Sequence, residues 1–385
     1  MIAFAVAAVS AATFAPIDQQ NIFARVAPDS QRFSITVAFR GGSACDPQNL
    51  HGAHHLLEHA LFLQRTEDRN SEPDWVAELY GCSLNATTYR ELILFECEGP
   101  AANWKKGVEA MRLLLRPPTV SESAIRREMN VIWSEVSFPN RSASRCSSDL
   151  LWKASCSNQA LARDTAGTLA EMRTATPKTI LELYAREITK QNCFAAIVGP
   201  EDGSKVLTAL LNELPSGEFI KLPAFGEFKT GVSSQKTPGV CVAFPSPGLD
   251  ALKEYASLLV TVELIRLLSP TELDDLEIAI GPSTKGALLT CISQSRVEKS
   301  LRSLLKMIAS GEYQPQQVEL ARKIAINRFS LANSAPQSWS RSYAILRALG
   351  GSELDEALFK SLSTEQLKSA AAKLNPENGN WIQGQ

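Results

Sequence analysis

Ala53–Phe62 reads AHHLLEHALF. Its apolar residues at 53, 56, 57, 60, 61 and 62 predict a largely buried helix. All four histidines of the 385-residue chain lie in or just before it: His51, His54, His55 and His59. His55-Leu56-Leu57-Glu58-His59 spells H-x-x-E-H, the inverse of the zinc-protease pattern H-E-x-x-H. On a helix, positions i and i+4 share a face, about 6 Å apart. His55 and His59 so placed can bind one zinc ion through neutral imidazole nitrogen. Glu58, beside His59 and one turn from His55, can reach a water on that metal and act as its general base. The plain alternative is that these are satisfied core or surface side chains. Burying His55, Glu58 and His59 is costly unless a metal or hydrogen bonds satisfy them.

A catalytic zinc needs three protein ligands and an open position. With no histidine left over, the third must be a carboxylate or a thiolate. Ser121–Val136 (SESAIRREMNVIWSEV) offers two carboxylates. Ser121 or Ser123 can cap a helix whose apolar stripe is Ile125, Met129, Ile132, Trp133 and Val136. Glu128 and Glu135 lie nearly two turns apart and project from one face, about 10.5 Å apart along the axis. One can ligate the metal and the other support it from behind. A solvated acidic face is the other reading, and composition does not choose between them.

These segments are similar to the pitrilysin/insulysin family of inverzincin peptidases, which includes the mitochondrial processing peptidase. That family shows H-x-x-E-H followed by a helix with two glutamates seven apart. The resemblance implies that His55, His59 and Glu135 bind zinc, that Glu58 is the base, and that Glu128 is a supporting carboxylate of the catalytic set. His59-Ala60-Leu61-Phe62 resembles the family's continuation of the motif. Gly81–Thr88 (GCSLNATT) resembles its G-G-x-x-N-A-x-T strand, an edge on which an extended substrate pairs. Asn85, Ala86 and Thr87 would then bind substrate by β-augmentation, main-chain bonds giving affinity and side-chain pockets selectivity. Tyr184–Pro200 (YAREITKQNCFAAIVGP) resembles the family's helix, tyrosine and following strand.

Thirty-nine basic and 41 acidic residues leave a formal charge of −2 with no long basic stripe, which argues against nucleic acid or an anionic membrane surface as a partner. Cys45, Cys82, Cys97, Cys146, Cys156, Cys193, Cys241 and Cys291 show no C-x-x-C pair, so they read as free thiols, and a metal or redox module built on them is a weak reading. Met1–Ala15 (MIAFAVAAVSAATFA) is apolar and small, yet the first basic residue is Arg25. It reads as a signal-peptide core or an added strand. The expected location is cytoplasmic, or periplasmic if residues 1–15 are a leader. Fifteen residues are short for a membrane span, and no other stretch qualifies.

The chain repeats once. Strand Leu92–Glu98 precedes helix Trp104–Leu115 and helix Ser121–Val136; strand Ala287–Ser293 precedes helix Val297–Ala309 and helix Pro315–Ser330. Leu214–Gly239, dotted with Pro and Gly, reads as the linker. The expected organisation is residues 1–213 as a zinc-bearing domain, 214–239 as linker and 240–385 as a homologous domain without a metal site. The resemblance implies an α+β fold of two halves, each a mainly antiparallel sheet flanked by helices, arranged as a clamshell.

Family members carry an arginine and a tyrosine seven apart in the second half, as donors to the tetrahedral intermediate. The corresponding stretch, Leu268–Gly281 (LSPTELDDLEIAIG), has neither. Arg341 and Tyr343 lie later, two apart, and do not substitute. The expectation is a zinc peptidase acting on unfolded peptides, with one Zn2+ per chain, as the catalytic subunit of a heterodimer whose homologous partner supplies the Arg/Tyr pair. The alternative is a non-catalytic scaffold or substrate-holding subunit of the same fold.

Overall fold

The computed structural model describes residues 21–64, 71–137, 143–235, 239–281, 283–295, 297–351 and 354–384. The segment 1–15, read as a leader or a strand, lies outside them. Two five-stranded sheets organise the chain. The first holds β1 (Ile22–Val26), β2 (Arg32–Arg40), β3 (Ser83–Thr88), β4 (Leu92–Pro100) and β5 (Cys193–Gly199), in spatial order β1-β5-β2-β4-β3. The second holds β6 (Gly231–Gln235), β7 (Val240–Ser246), β8 (Glu277–Ile280), β9 (Ala287–Ser293) and β10 (Asn380–Gly384), in order β6-β10-β7-β9-β8. The two orders correspond strand for strand. In each sheet one edge pair is parallel, β1 with β5 and β6 with β10, and the other pairs are antiparallel.

The helices that matter for the site are α1 (Ala53–Phe62), α2 (Trp104–Leu114), α3 (Glu122–Val136), α4 (Ala143–Ser155) and α5 (Pro177–Glu187) in the first half. The second half contributes α6 (Leu252–Leu268), α7 (Glu298–Ser310), α8 (Pro315–Ala332) and α9 (Pro336–Ala348). The fold is α+β, in two homologous halves. Strand, helix and helix recur as β4-α2-α3 and β9-α7-α8, which is the repeat legible in the sequence.

β6 corrects one boundary. Gly231–Gln235 falls inside the stretch read as linker, yet it pairs parallel with β10 as the edge of the second sheet. Its sequence, GVSSQ, has little apolar alternation to mark it, because main-chain pairing on one side is all that places it.

β2 is buried from Phe33 to Arg40. A strand covered on both faces needs a roof on each. Phe33, Ile35, Val37 and Phe39 pack under α1, α2 and α3 in the first core. The opposite face is roofed by α9, from the other half. Trp339, Ala344 and Ala348 meet Leu92, Leu94, Ala196 and Val198, and the buried Ser340 hydroxyl bonds those of Ser34 and Thr36 at 2.8 and 2.9 Å. Reciprocally, Leu151 and Trp152 of α4 pack on Cys241, Ala243 and Leu288 of the second sheet. The halves thus exchange a helix and face each other across a cleft of about 340 Å³, bordered by Thr87–Leu92, Trp152, Ile280, Leu288 and Leu349.

Seven of the cysteines are free thiols. No described helix is long and apolar enough to cross a membrane.

Candidate metal centre

α1 is built to present one polar face. Ala53, Leu56, Leu57, Ala60 and Leu61 are buried in the first core. That leaves His55, Glu58 and His59 on the remaining face, toward α3. The helix begins at Gly52, in the left-handed region with φ 95°, and no side chain of its own caps it. Asp46 does so from the preceding loop, its carboxylate accepting from the Gly52 N–H at 2.7 Å and the His54 N–H at 2.9 Å.

α3 is capped by Ser121, whose Oγ accepts from the Ala124 N–H at 3.2 Å. Ile125, Met129 and Ile132 face the core as the spacing requires. Trp133, expected in that stripe, is instead half exposed at 50%. It follows Ile132 directly, and the 100° step between neighbours carries it off the buried face. Glu128 and Glu135 both face α1.

The geometry distinguishes the two carboxylates. Glu135 Oε2 lies 3.7 Å from His55 Nε2 and 3.5 Å from His59 Nε2. Ligand atoms about 2.0–2.2 Å from one tetrahedral ion sit about 3.3–3.6 Å from each other. The donor set therefore fits a metal ion with little adjustment. Glu128 Oε2 is 3.2 Å from the other nitrogen of His59, Nδ1. A carboxylate behind a ligand imidazole fixes its tautomer and ring orientation. The imidazoles are mostly covered, at 13% and 15% exposure, while Glu135 is half open to solvent. A site that is walled on the helix side and open on the other can admit a substrate.

Glu58 completes the cluster. One ligand-type atom from each of His55, Glu58 and His59 falls within 4.8 Å of the others. Its Oε2 accepts a hydrogen bond from the Thr88 hydroxyl at 2.5 Å. Burial pushes the Glu58 carboxyl above its ordinary value, against the lowering effect of the Thr88 hydroxyl. Thr88 ends β3, and β3 is the edge of its sheet, with no strand on its outer side among the described residues. Asn85, Ala86 and Thr87 stand opposite Glu96, Phe95 and Leu94 of β4. Their outer edge thus runs up to the residue that holds Glu58.

Periodicity missed what surrounds the motif. His54 is fully buried between two carboxylates, Nδ1 at 2.6 Å from Asp46 and Nε2 at 3.2 Å from Glu187, with His51 Nδ1 also 3.0 Å from Asp46. Burial opposes charge on His54, but the hydrogen bonds to Asp46 and Glu187 overcome it and push its pKa up to about 9. Burial likewise works to raise the Asp46 carboxyl, and the bonds from His51 and His54 hold it well below the ordinary carboxylate range. The only sequence signal was that four histidines cluster where the motif uses two.

The second half has a counterpart at the equivalent place. There α6, α8 and β8 stand where α1, α3 and β3 stand in the first. Glu263 of α6 receives Arg266 at 2.6 Å and Arg328 of α8 at 3.0 Å. They border a cavity of about 270 Å³ lined by Leu259, Val262, Ile278 and Phe329. Arg341 and Tyr343 are committed elsewhere: Arg341 pairs with Glu96 and the Tyr89 hydroxyl, and Tyr343 stacks on Trp339 with ring centroids 4.3 Å apart.

Residues 22–169, which include the whole cluster, match the family model for Insulinase (Peptidase family M16). Over that stretch the chain is similar to the M16 peptidase family. The chain also aligns with mitochondrial-processing peptidase subunit beta of Neurospora crassa, 23% identical over 219 residues, 57% of this chain and 45% of that one. Coenzyme PQQ synthesis protein F of Klebsiella pneumoniae is 33% identical over 110 residues, 28% of this chain and 14% of that one. The chain spans less than half the length of either relative. An M16-like peptidase from Alicyclobacillus acidocaldarius superposes with a TM-score of 0.77 at 16% identity, over 94% of this chain and 96% of that one. A peptidase M16 inactive domain from Pseudomonas fluorescens gives 0.76 at 15%, over 94% of each. At those identities the likeness concerns the fold alone.

Proposed function

We propose that this chain is a zinc-dependent peptidase for unfolded peptides, the metal-bearing subunit of a heterodimer with a homologous chain. The observation that carries the reading is the triangle of His55 Nε2, His59 Nε2 and Glu135 Oε2, whose 3.5 and 3.7 Å edges suit one tetrahedral ion.

His55, His59 and Glu135 would hold the metal. Glu128 accepts a hydrogen bond from His59 Nδ1–H, which would leave Nε2 as the lone-pair donor. A zinc ion held there would supply Lewis acidity toward a scissile carbonyl and an attacking water. Glu58 is placed to accept a proton from the attacking water and return it to the leaving amine. Its burial suits the base step, since a carboxylate whose pKa is raised above the ordinary value takes a proton more readily. Thr88 holds one Glu58 oxygen and leaves the other to move the proton. The free edge of β3 pairs with the substrate main chain through Asn85, Ala86 and Thr87.

A second reading is a non-catalytic, substrate-holding subunit. The favouring observation is that Leu268–Gly281 has no arginine or tyrosine while Arg341 and Tyr343 are engaged on the first sheet and α9. One experiment separates the two. Zinc per chain is measured, then cleavage of an unfolded peptide by the loaded chain, alone and with a homologous chain carrying an Arg/Tyr pair and lacking H-x-x-E-H. The catalytic reading expects one zinc and a gain of roughly 10²–10³-fold on adding the partner. Zinc without cleavage in either case supports the holding subunit. Full activity from the chain alone would show that the missing pair is dispensable.

A further inference from the structure

The metal reading uses two of the four histidines and leaves His51 and His54 unexplained. His54 is the more demanding, because a fully buried imidazole between two carboxylates is an expensive thing to build. Both its ring nitrogens face acceptors, Asp46 Oδ1 at 2.6 Å and Glu187 Oε1 at 3.2 Å. Nδ1 is hydrogen-bonded to Asp46, while Nε2 abuts the Glu187 carboxylate, so the ring is gripped between the two elements that carry them. The cluster is not a second metal centre. Two ligands of one ion stand about 3.3 Å apart, and the 2.6 Å approach of Asp46 to His54 is a hydrogen bond.

Each end of this bridge is anchored to a different element. Asp46 lies in the loop after β2 and also caps the start of α1 through the Gly52 and His54 N–H groups. Glu187 ends α5. Arg186 ties both together, donating to Glu187 at 2.6 Å and to the Cys45 carbonyl at 2.8 Å. Gly41 is shaped to the arrangement: a Cβ there would collide with the Glu187 carboxylate, and its φ of 137° suits glycine.

We infer that Asp46, His54 and Glu187 form a buried clamp that fixes the rotation of α1 and so aims the imidazoles of His55 and His59 at a common point. The inference rests on the metal reading above. α1 has ten residues and no side-chain cap of its own, so its setting depends on what holds its first turn. Ligand atoms lie about 6 Å from a helix axis, so a turn of about 10° would carry them about 1 Å. Metal–ligand distances tolerate about 0.2 Å. His54 immediately precedes His55, where the clamp controls that turn most directly. These three are positioning residues; none touches the reacting atoms.

The test uses the full chain with Glu187→Gln, which keeps shape and one acceptor, and with His54→Gln. Three quantities are read: thermal unfolding of the metal-free protein, zinc affinity by chelator competition, and the visible spectrum of the cobalt(II)-loaded protein. Zinc binding should weaken roughly 10–100-fold in both variants, and the cobalt bands should shift, since the ligand field reports imidazole orientation. Wild-type affinity and an unchanged cobalt spectrum in a folded Glu187→Gln chain would overturn the clamp, whatever happens to its melting temperature. Loss of the fold on that isosteric exchange would equally overturn it, because the bridge would then serve the whole half and not the helix. If the unaltered chain binds neither zinc nor cobalt, the metal reading fails, and with it the premise of the clamp.

Discussion

The two halves of this chain share a strand order and a helix order, yet opposite chemistry occupies the same corner of each. In the first, α1, α3 and β3 bring two imidazoles together with three carboxylates, those of Glu58, Glu128 and Glu135. In the second, α6, α8 and β8 bring one carboxylate against two guanidiniums. The first cluster is open: lone pairs on His55, His59 and Glu135 converge on one point. The second is closed: both oxygens of Glu263 are taken by arginines of its own half. Topology therefore supplies the corner, and a few side chains on two helices decide whether it calls for a metal.

Removing one converging lone pair should break the contrast most completely. His59→Ala deletes a ligand and strands Glu128. Stoichiometric zinc should be lost, as metal analysis after dialysis would record. Full retention would refute the ligand set. Next comes the base. Glu58→Gln keeps every proposed ligand and removes only the proton acceptor, so zinc should stay at one per chain while turnover falls on the order of 10²–10⁴-fold. Wild-type turnover would remove Glu58 from that role. Glu128→Gln should be milder. The amide can still hold the His59 ring, and metal affinity or activity should drop about 10–100-fold, less than for Glu135→Gln. The reverse ranking would exchange the roles of the two glutamates.

That ranking bears on what the sequence could reveal. The i, i+4 histidines and the glutamates seven apart were legible because helical periodicity turns spacing into a shared face. The spacing did not say which glutamate meets Nε2 and which meets Nδ1; that depends on the depth at which α3 crosses α1. The strand and helix order foretold the duplicated halves. It did not foretell that α9 roofs the first sheet and α4 the second, because an apolar face does not specify its partner. Ser340, meeting Ser34 and Thr36, carries no apolar signal at all. β6 was hidden in the linker for a similar reason. Asp46 and Glu187 converge on His54 from segments far apart in sequence, and only the folded chain brings them there.

The smallest expected effect is in the closed corner, and it tests whether that corner is inert toward the metal. Glu263→Gln removes the charge shared by Arg266 and Arg328. Glu263 is buried at 7% side-chain exposure, but the arginines are 36% and 61% exposed and can turn to water once released. Breaking a fully buried pair typically costs about 3–5 kcal/mol, and screening at the two arginines reduces this to about 1–2 kcal/mol. A change of that size moves the melting temperature of a half this large by roughly 2–8 °C. Zinc content and affinity should not move, because no bond or ion pair joins Glu263 to α1 or α3 among the described contacts. Calorimetry and chelator competition on the same preparation check both parts. A drop in zinc affinity without a drop in stability would mean that the second half reaches the metal after all, and the two corners would have to be treated as one coupled site.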